Sequence, residues 1–186
     1  MSGAPHPQDH NSSMEFLPMF VEMANLFKFG TYVEIGIKHA ITFNRLSPLV
    51  QRAVACDIDK RVEQFIIKNP NVEIHIKPSL RLAAEWKEPI DFLFIDGLHT
   101  KEMTMNELDA FLPHIRVCTG IIAFHDTHPI TPDGTPRISK SSVWETIWVI
   151  RHEEKYKDLE VFTFPGPAGG LSLVRNAPKH FKAWLK

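Results

Sequence analysis

The sequence predicts an α/β fold: a doubly wound, mostly parallel seven-stranded sheet with helices on both faces and an antiparallel C-terminal strand. Three observations predict it. Five apolar, strand-like runs alternate with segments of helical periodicity, the pattern of βαβ units whose strands run parallel. The run Ile90–Ile95 is almost continuously apolar, as a strand covered on both sheet faces requires. Two later runs, Val161–Phe164 and Gly170–Val174, are separated by a stretch containing Pro165-Gly166-Pro167 and no helix. They read as a hairpin that adds the antiparallel edge.

At 186 residues and 44% apolar content, the chain suits one domain with its own core. Residues 1–13 are polar and carry Pro5 and Pro7, the composition of a disordered tail; residues 14–186 are expected to form the single domain. Lys plus Arg number 21 against 22 Asp plus Glu, a net charge of −1. That balance carries no electrostatic signature of a nucleic-acid or membrane-surface partner. Pro18 and Glu22 interrupt the apolar run near the N-terminus, so no secretory or spanning segment is read there. Cys56 and Cys118 fall in apolar runs without a CxxC spacing and read as buried free thiols, which points to a reducing, cytoplasmic setting.

The elements follow in order. Phe16–Phe29 has apolar residues at helical spacing and Gly30 behind it, an amphipathic helix with more apolar surface than one face needs, which points to a homodimer contact. Tyr32, Val33 and Ile35 form a buried strand. Gly36 turns it into a helix through Phe43, Leu46 and Leu49. Arg52–Asp57 is a second strand, Arg61–Lys68 a short helix, and Val72, Ile74 and Ile76 mark a third strand. Ser79 is placed to cap the helix ending at Trp86. After Ile90–Ile95, Thr100 caps a helix with Met105, Leu108, Leu112 and Ile115 on its apolar face. Gly120–Phe124 is the fifth strand. Thr127–Ser141, with Pro129, Pro132, Gly134 and Pro136, is a long loop of the kind that covers binding sites. Ser142 and Glu145 have capping-box spacing, opening a helix that turns Trp144, Ile147 and Trp148 to the core.

The acids share one kind of position. Glu34, Asp57, Asp96 and Asp126 each lie at or near a strand end, and in a doubly wound sheet these ends line one ligand-binding edge. Glu34, inside an apolar strand, is expected to face a polar or cationic ligand. Asp57 follows the second strand, just over 20 residues after Gly36, a spacing that suits a carboxylate accepting from ribose hydroxyls. Asp96, His99, His125 and Asp126 form a second group. Its oxygens suit Mg²⁺ and its imidazoles a softer cation; a shared proton is the other way to hold two carboxylates together. His99 and His125 are also candidate general bases.

The order Val-Glu-Ile-Gly, Cys-Asp-Ile-Asp, Phe-Ile-Asp-Gly-Leu-His-Thr and Ile-Ile-Ala-Phe-His-Asp-Thr resembles class I S-adenosylmethionine-dependent methyltransferases. The likeness runs over residues 30–176, and is most specific for the small group with IDGxH and HD motifs that acts on sugars, polysaccharides and natural products. The resemblance implies a Rossmann-like sheet, S-adenosylmethionine as cofactor and a small hydroxylated acceptor. It implies that Glu34 and Gly36 frame the methionine end, Asp57 binds the ribose, Ser79 lies near the adenine, and Asp96 borders the cofactor. It further implies Asp96 and Asp126 at metal-ligand positions, with His125 where another acid often stands. One position departs from the pattern: Ala40 stands where a further glycine is usual. A nucleotide-dependent oxidoreductase or hydroxylase, or a non-catalytic cofactor-binding module, would use the same fold.

Overall fold

A computed structural model describes residues 15–128, 141–166 and 169–177. The tail before them and most of the Thr127–Ser141 loop lie outside the described residues.

The element order is α1 (Leu17–Phe27), β1 (Thr31–Ile35), α2 (Ile41–Leu46), β2 (Arg52–Asp57), β3 (Val72–Ile76), α3 (Ser79–Glu85), β4 (Phe92–Ile95), α4 (Lys101–Phe111), β5 (Ile121–His125), α5 (Val143–His152), β6 (Leu159–Phe164) and β7 (Leu171–Asn176). The seven strands form one sheet in the order β3-β2-β1-β4-β5-β7-β6. β1 through β5 pair in parallel, and β7 runs antiparallel between β5 and β6. The expected fold class is present. The strand order reverses at β1, so the crevice between the ends of β1 and β4 is the position where such sheets bind ligands.

Alternation along the strands divides the core in two. Val33, Ile35, Val54, Leu93, Ile95, Ile122 and Phe124 pack on one face under Leu82, Leu108, Phe111, Ile147 and Ile150 of α3, α4 and α5. Tyr32, Ala53, Ala55, Phe92, Phe94 and Ala123 face α1 and α2 through Phe20 and Phe43. Phe20 sits edge-on to both Phe92 and Phe94 at 5.1 Å, and Tyr32 stacks on Phe92 at 5.4 Å. Such ring pairs add to the burial term.

Several local expectations are corrected. α1 stops at Phe27 because Lys28, not Gly30, takes the left-handed C-cap conformation (φ 53°). Arg61–Lys68 is instead a 3-10 turn over Lys60–Gln64. Trp144 and Trp148 are exposed; Val143, Thr146, Ile147 and Ile150 supply the buried stripe of α5. Ser142 does not cap α5 with its side chain; its hydroxyl accepts from the Lys101 N–H at 2.8 Å. Cys118 is only partly buried and sits in a left-handed turn at φ 69°. Thr100 does cap α4, accepting from Met103 N–H at 3.3 Å. Among the described residues no helix is long and apolar enough to cross a membrane.

Candidate functional site

A cleft of about 700 Å³ opens where β1, β2 and β4 end, within the size range of small-ligand sites. Gly36, Asp57, Ser79, Asp96 and His99 line it, together with Lys38, Ile58, Leu98, Met103 and Glu107. Five of the eight expected site residues therefore share one cavity. Glu34, His125 and Asp126 do not line it.

Gly36 is required by a close approach of two backbones. Its φ is +85°, and a Cβ there would lie 2.4 Å from the Asp96 carbonyl oxygen and 2.6 Å from Gly97 Cα. No other residue type fits. The turn continues through Lys38 (φ 48°) and Ala40 (φ 57°). Ala40 thus adopts the left-handed conformation that the usual glycine would supply, at a cost of roughly 1–2 kcal/mol. Asp57 holds this turn against the end of β2. Its Oδ2 accepts from Ile37 N–H at 2.8 Å and its Oδ1 from Asp59 N–H at 2.9 Å. Each carboxylate oxygen keeps a second lone pair for a ligand hydroxyl.

Glu34 is buried, and its carboxyl group takes a very short hydrogen bond from the Tyr32 hydroxyl on the α1/α2 face of the sheet. Side chains two apart on a strand share a face, so the same alternation that buries Tyr32 draws Glu34 inward. Burial pushes Glu34 up to about 8; Tyr32 opposes that rise and Asp96 adds to it. At neutral pH it is a carboxylic acid inside the fold. From this position Glu34 does not line the cleft.

The second group is built by register. Phe92 pairs with Ile121 and Phe94 with Ala123, so two residues on, Asp96 and His125 meet at the strand ends. His125 Nδ1 lies 3.1 Å from both Asp96 Oδ1 and Asp126 Oδ1, ion-pair distances without the alignment of hydrogen bonds. Asp126 reaches back because its backbone is left-handed, φ 60°, a conformation Asp tolerates better than most residues. Its other oxygen, Oδ2, lies 2.9 Å from His99 Nδ1. His99 is anchored through its backbone, with its carbonyl accepting from Ser142 N–H at 3.1 Å.

Burial disfavours charging His125, but Asp126 and Asp96 outweigh it and hold the imidazole well above its usual range, to about 10. Burial alone would raise Asp126; the two histidines outweigh it and hold the carboxylate well below its usual range. The Asp126 carboxylate 2.9 Å from its Nδ1 raises His99. The expected cation set of Asp96, His125 and Asp126 is therefore arranged as a carboxylate–imidazolium–carboxylate ion pair. Among the described residues no group of three or more His, Cys, Asp or Glu side chains is placed to hold a metal ion. The donor set does not fit a metal in this arrangement. His125 is 2% exposed and does not line the cleft, whereas His99 is half-exposed there.

Sequence reasoning missed Glu107. It is a carboxylate on the buried stripe Thr104, Glu107, Leu108, Phe111 of α4, and that helical spacing was the available signal. Ser79, expected as a helix cap, donates its hydroxyl to Glu107 Oε1 at 2.6 Å.

A family model described as a methyltransferase domain matches residues 33–127. A putative O-methyltransferase from Klebsiella pneumoniae superposes with a TM-score of 0.72 at 16% identity, covering 91% of this chain and 83% of that one. The O-methyltransferase TomG from Streptomyces achromogenes, involved in tomaymycin synthesis and solved with S-adenosylmethionine, gives 0.66 at 15%, covering 90% and 87%. The N-methyltransferase NodS from Bradyrhizobium japonicum, solved with S-adenosylhomocysteine, gives 0.66 at 15%, covering 92% and 90%. At these identities the likeness is one of fold.

Proposed function

The chain belongs to the methyltransferase-domain family, and from that premise we propose that it transfers the methyl group of S-adenosylmethionine to a hydroxyl oxygen of a small acceptor. The observation that carries the choice of oxygen is the His99–Asp126 pair beside the cleft. An imidazole held at one nitrogen by a carboxylate has its other nitrogen free to take a proton, which is the arrangement of an oriented general base. An amine acceptor attacks through a lone pair it already has; a neutral hydroxyl gains far more from a base.

The residues of the cleft fit the cofactor. Asp57 lines the cleft, and its carboxylate oxygens are of the kind that would accept from vicinal ribose hydroxyls. The turn at Gly36 lines the same cleft and is the part of it that would face the methionine end. When bound, S-adenosylmethionine would supply an electrophilic methyl on a sulfonium whose leaving group is a neutral thioether. His99 Nε2 would take the acceptor's proton as the O–CH₃ bond forms and the S–CH₃ electron pair passes to sulfur. Asp126 stabilises the resulting imidazolium through Nδ1. His125, buried between Asp96 and Asp126, offsets one of the two carboxylate charges, and this reading routes no step through a metal. The oxidoreductase and non-catalytic readings gain no observation in their favour.

Calorimetry with S-adenosylmethionine, followed by transfer of labelled methyl to a panel of sugars and phenols with matched amines, tests the proposal. Binding with methylation of hydroxyls supports it. Methylation of the amines alone, or no binding of S-adenosylmethionine, overturns it.

A further inference from the structure

Glu107 is a buried acid with one oxygen satisfied and one not. Its exposure is 1%. Oε1 accepts from Ser79, while Oε2 has no hydrogen-bond partner. A carboxylate oxygen withheld from water and left unpaired costs free energy comparable to a lost hydrogen bond or more. Here, however, the residue lines the cleft, so the missing partner can come from a ligand. Burial pushes its carboxyl up to about 7, against the opposing pull of Ser79, so an ionised acceptor is accessible in neutral solution.

The surroundings say what kind of ligand. Glu107 Oε1 lies 4.0 Å from the point where a Cβ on Gly97 would sit, which puts the carboxyl group beneath the turn after β4. Ile58, Leu98 and Met103 line the same cleft. They offer apolar surface to the faces of a flat ring. Asp57 stands on the ribose side of that region, at the end of β2. A ring attached to that ribose would meet apolar side chains and the Glu107 carboxyl group, which in its ionised form can only accept. An aromatic base bearing an N–H₂ group on the edge that meets it satisfies it; one with a carbonyl there would face it with a second acceptor.

Resting on the cofactor reading above, we propose that Glu107 is a cofactor-specificity residue: Oε2 accepts a hydrogen bond from the exocyclic amine of the adenine, with Ser79 fixing the carboxyl group through Oε1. The serine then acts as a positioning residue, a role different from the helix cap that its place in the sequence suggests.

The test compares S-adenosylhomocysteine with its 6-desamino analogue, which carries hydrogen in place of the amine, by calorimetry on the full chain. The unmodified protein should bind the analogue about 10- to 100-fold more weakly. Glu107→Leu, checked for folding by its melting temperature, should bring the two ligands to within about 2-fold of each other. Ser79→Ala should narrow the ratio without abolishing it. Equal affinity of the unmodified protein for the two ligands overturns the proposal with no variant needed. A folded Glu107→Leu protein that keeps the full preference overturns it as well. Absence of any S-adenosylhomocysteine binding defeats the cofactor reading itself and this assignment with it, so the two failures are distinguishable.

Discussion

His99 Nδ1 lies 2.9 Å from Asp126 Oδ2, which commits one ring nitrogen to orientation and leaves the other for chemistry. His99→Ala should lower kcat by on the order of 10²- to 10⁴-fold while S-adenosylmethionine binds as before. A base must be neutral to act, and Asp126 raises His99. The ascending limb of the kcat–pH profile should therefore lie above the ordinary histidine range. Asp126→Asn should move that limb to lower pH and reduce kcat. A limb unmoved by Asp126→Asn would show that another group titrates.

Asp57 should matter twice. Removing its carboxylate frees two backbone N–H groups, those of Ile37 and Asp59, as well as the ribose contact. Asp57→Ala should weaken S-adenosylmethionine binding by about 1.5–3 kcal/mol and destabilise the ligand-free protein by about 1–3 kcal/mol. Calorimetry and thermal melts read the two effects separately. An unchanged melting temperature would mean that the turn holds without the carboxylate.

Glu34 makes stability fall with pH. Its folded-state value, about 8, lies above the ordinary 4.5, so the folded chain holds a proton that the unfolded chain releases. That contribution is complete below the unfolded value and is lost as pH rises toward 8, at up to about 1.4 kcal/mol per pH unit. His125, raised to about 10, adds the same sign of slope above its ordinary value. Denaturant midpoints should decline from pH 5 to pH 9, and Glu34→Gln should flatten the part below pH 8. A slope identical in that variant would assign the effect elsewhere.

The ion pair around His125 predicts the response to chelators. Turnover should persist in excess chelator, because the His125 cation already sits between Asp96 and Asp126 and offsets part of their charge. His125→Ala should lose activity by removing that charge and with it the setting of Asp126 for His99. Inactivation by chelator, reversed by an added divalent cation, would contradict this arrangement.

The fold was legible because burial on both sheet faces writes continuous apolar strands such as Phe92–Ile95, and because strand ends carry their polar residues in plain order. Gly36, Asp57, Asp96 and His99 were readable as cleft residues for the same reason. Pairings across the fold were not. Ser79 is a natural helix cap by position, and only the packing of α3 against α4 brings it to Glu107, 28 residues away. Glu34 reads as ligand-facing until the position of the Tyr32 hydroxyl is known. The capping-box spacing at Ser142 and Glu145 points Trp144 and Trp148 to the core, whereas Val143, Thr146, Ile147 and Ile150 set the buried phase of α5. Local periodicity fixes which stripe can be buried; the partner surface decides which one is.

The meeting of Gly36 with Asp96 and Gly97 has a further meaning for how such a protein can change. The seam between the turn after β1 and the turn after β4 is main chain against main chain, with no side chain to exchange. Substitutions that reshape the cleft must act through side chains that line it, such as Lys38 or Leu98, and can accumulate there while the junction stays constant. The fold thereby separates what it can vary from what it must keep.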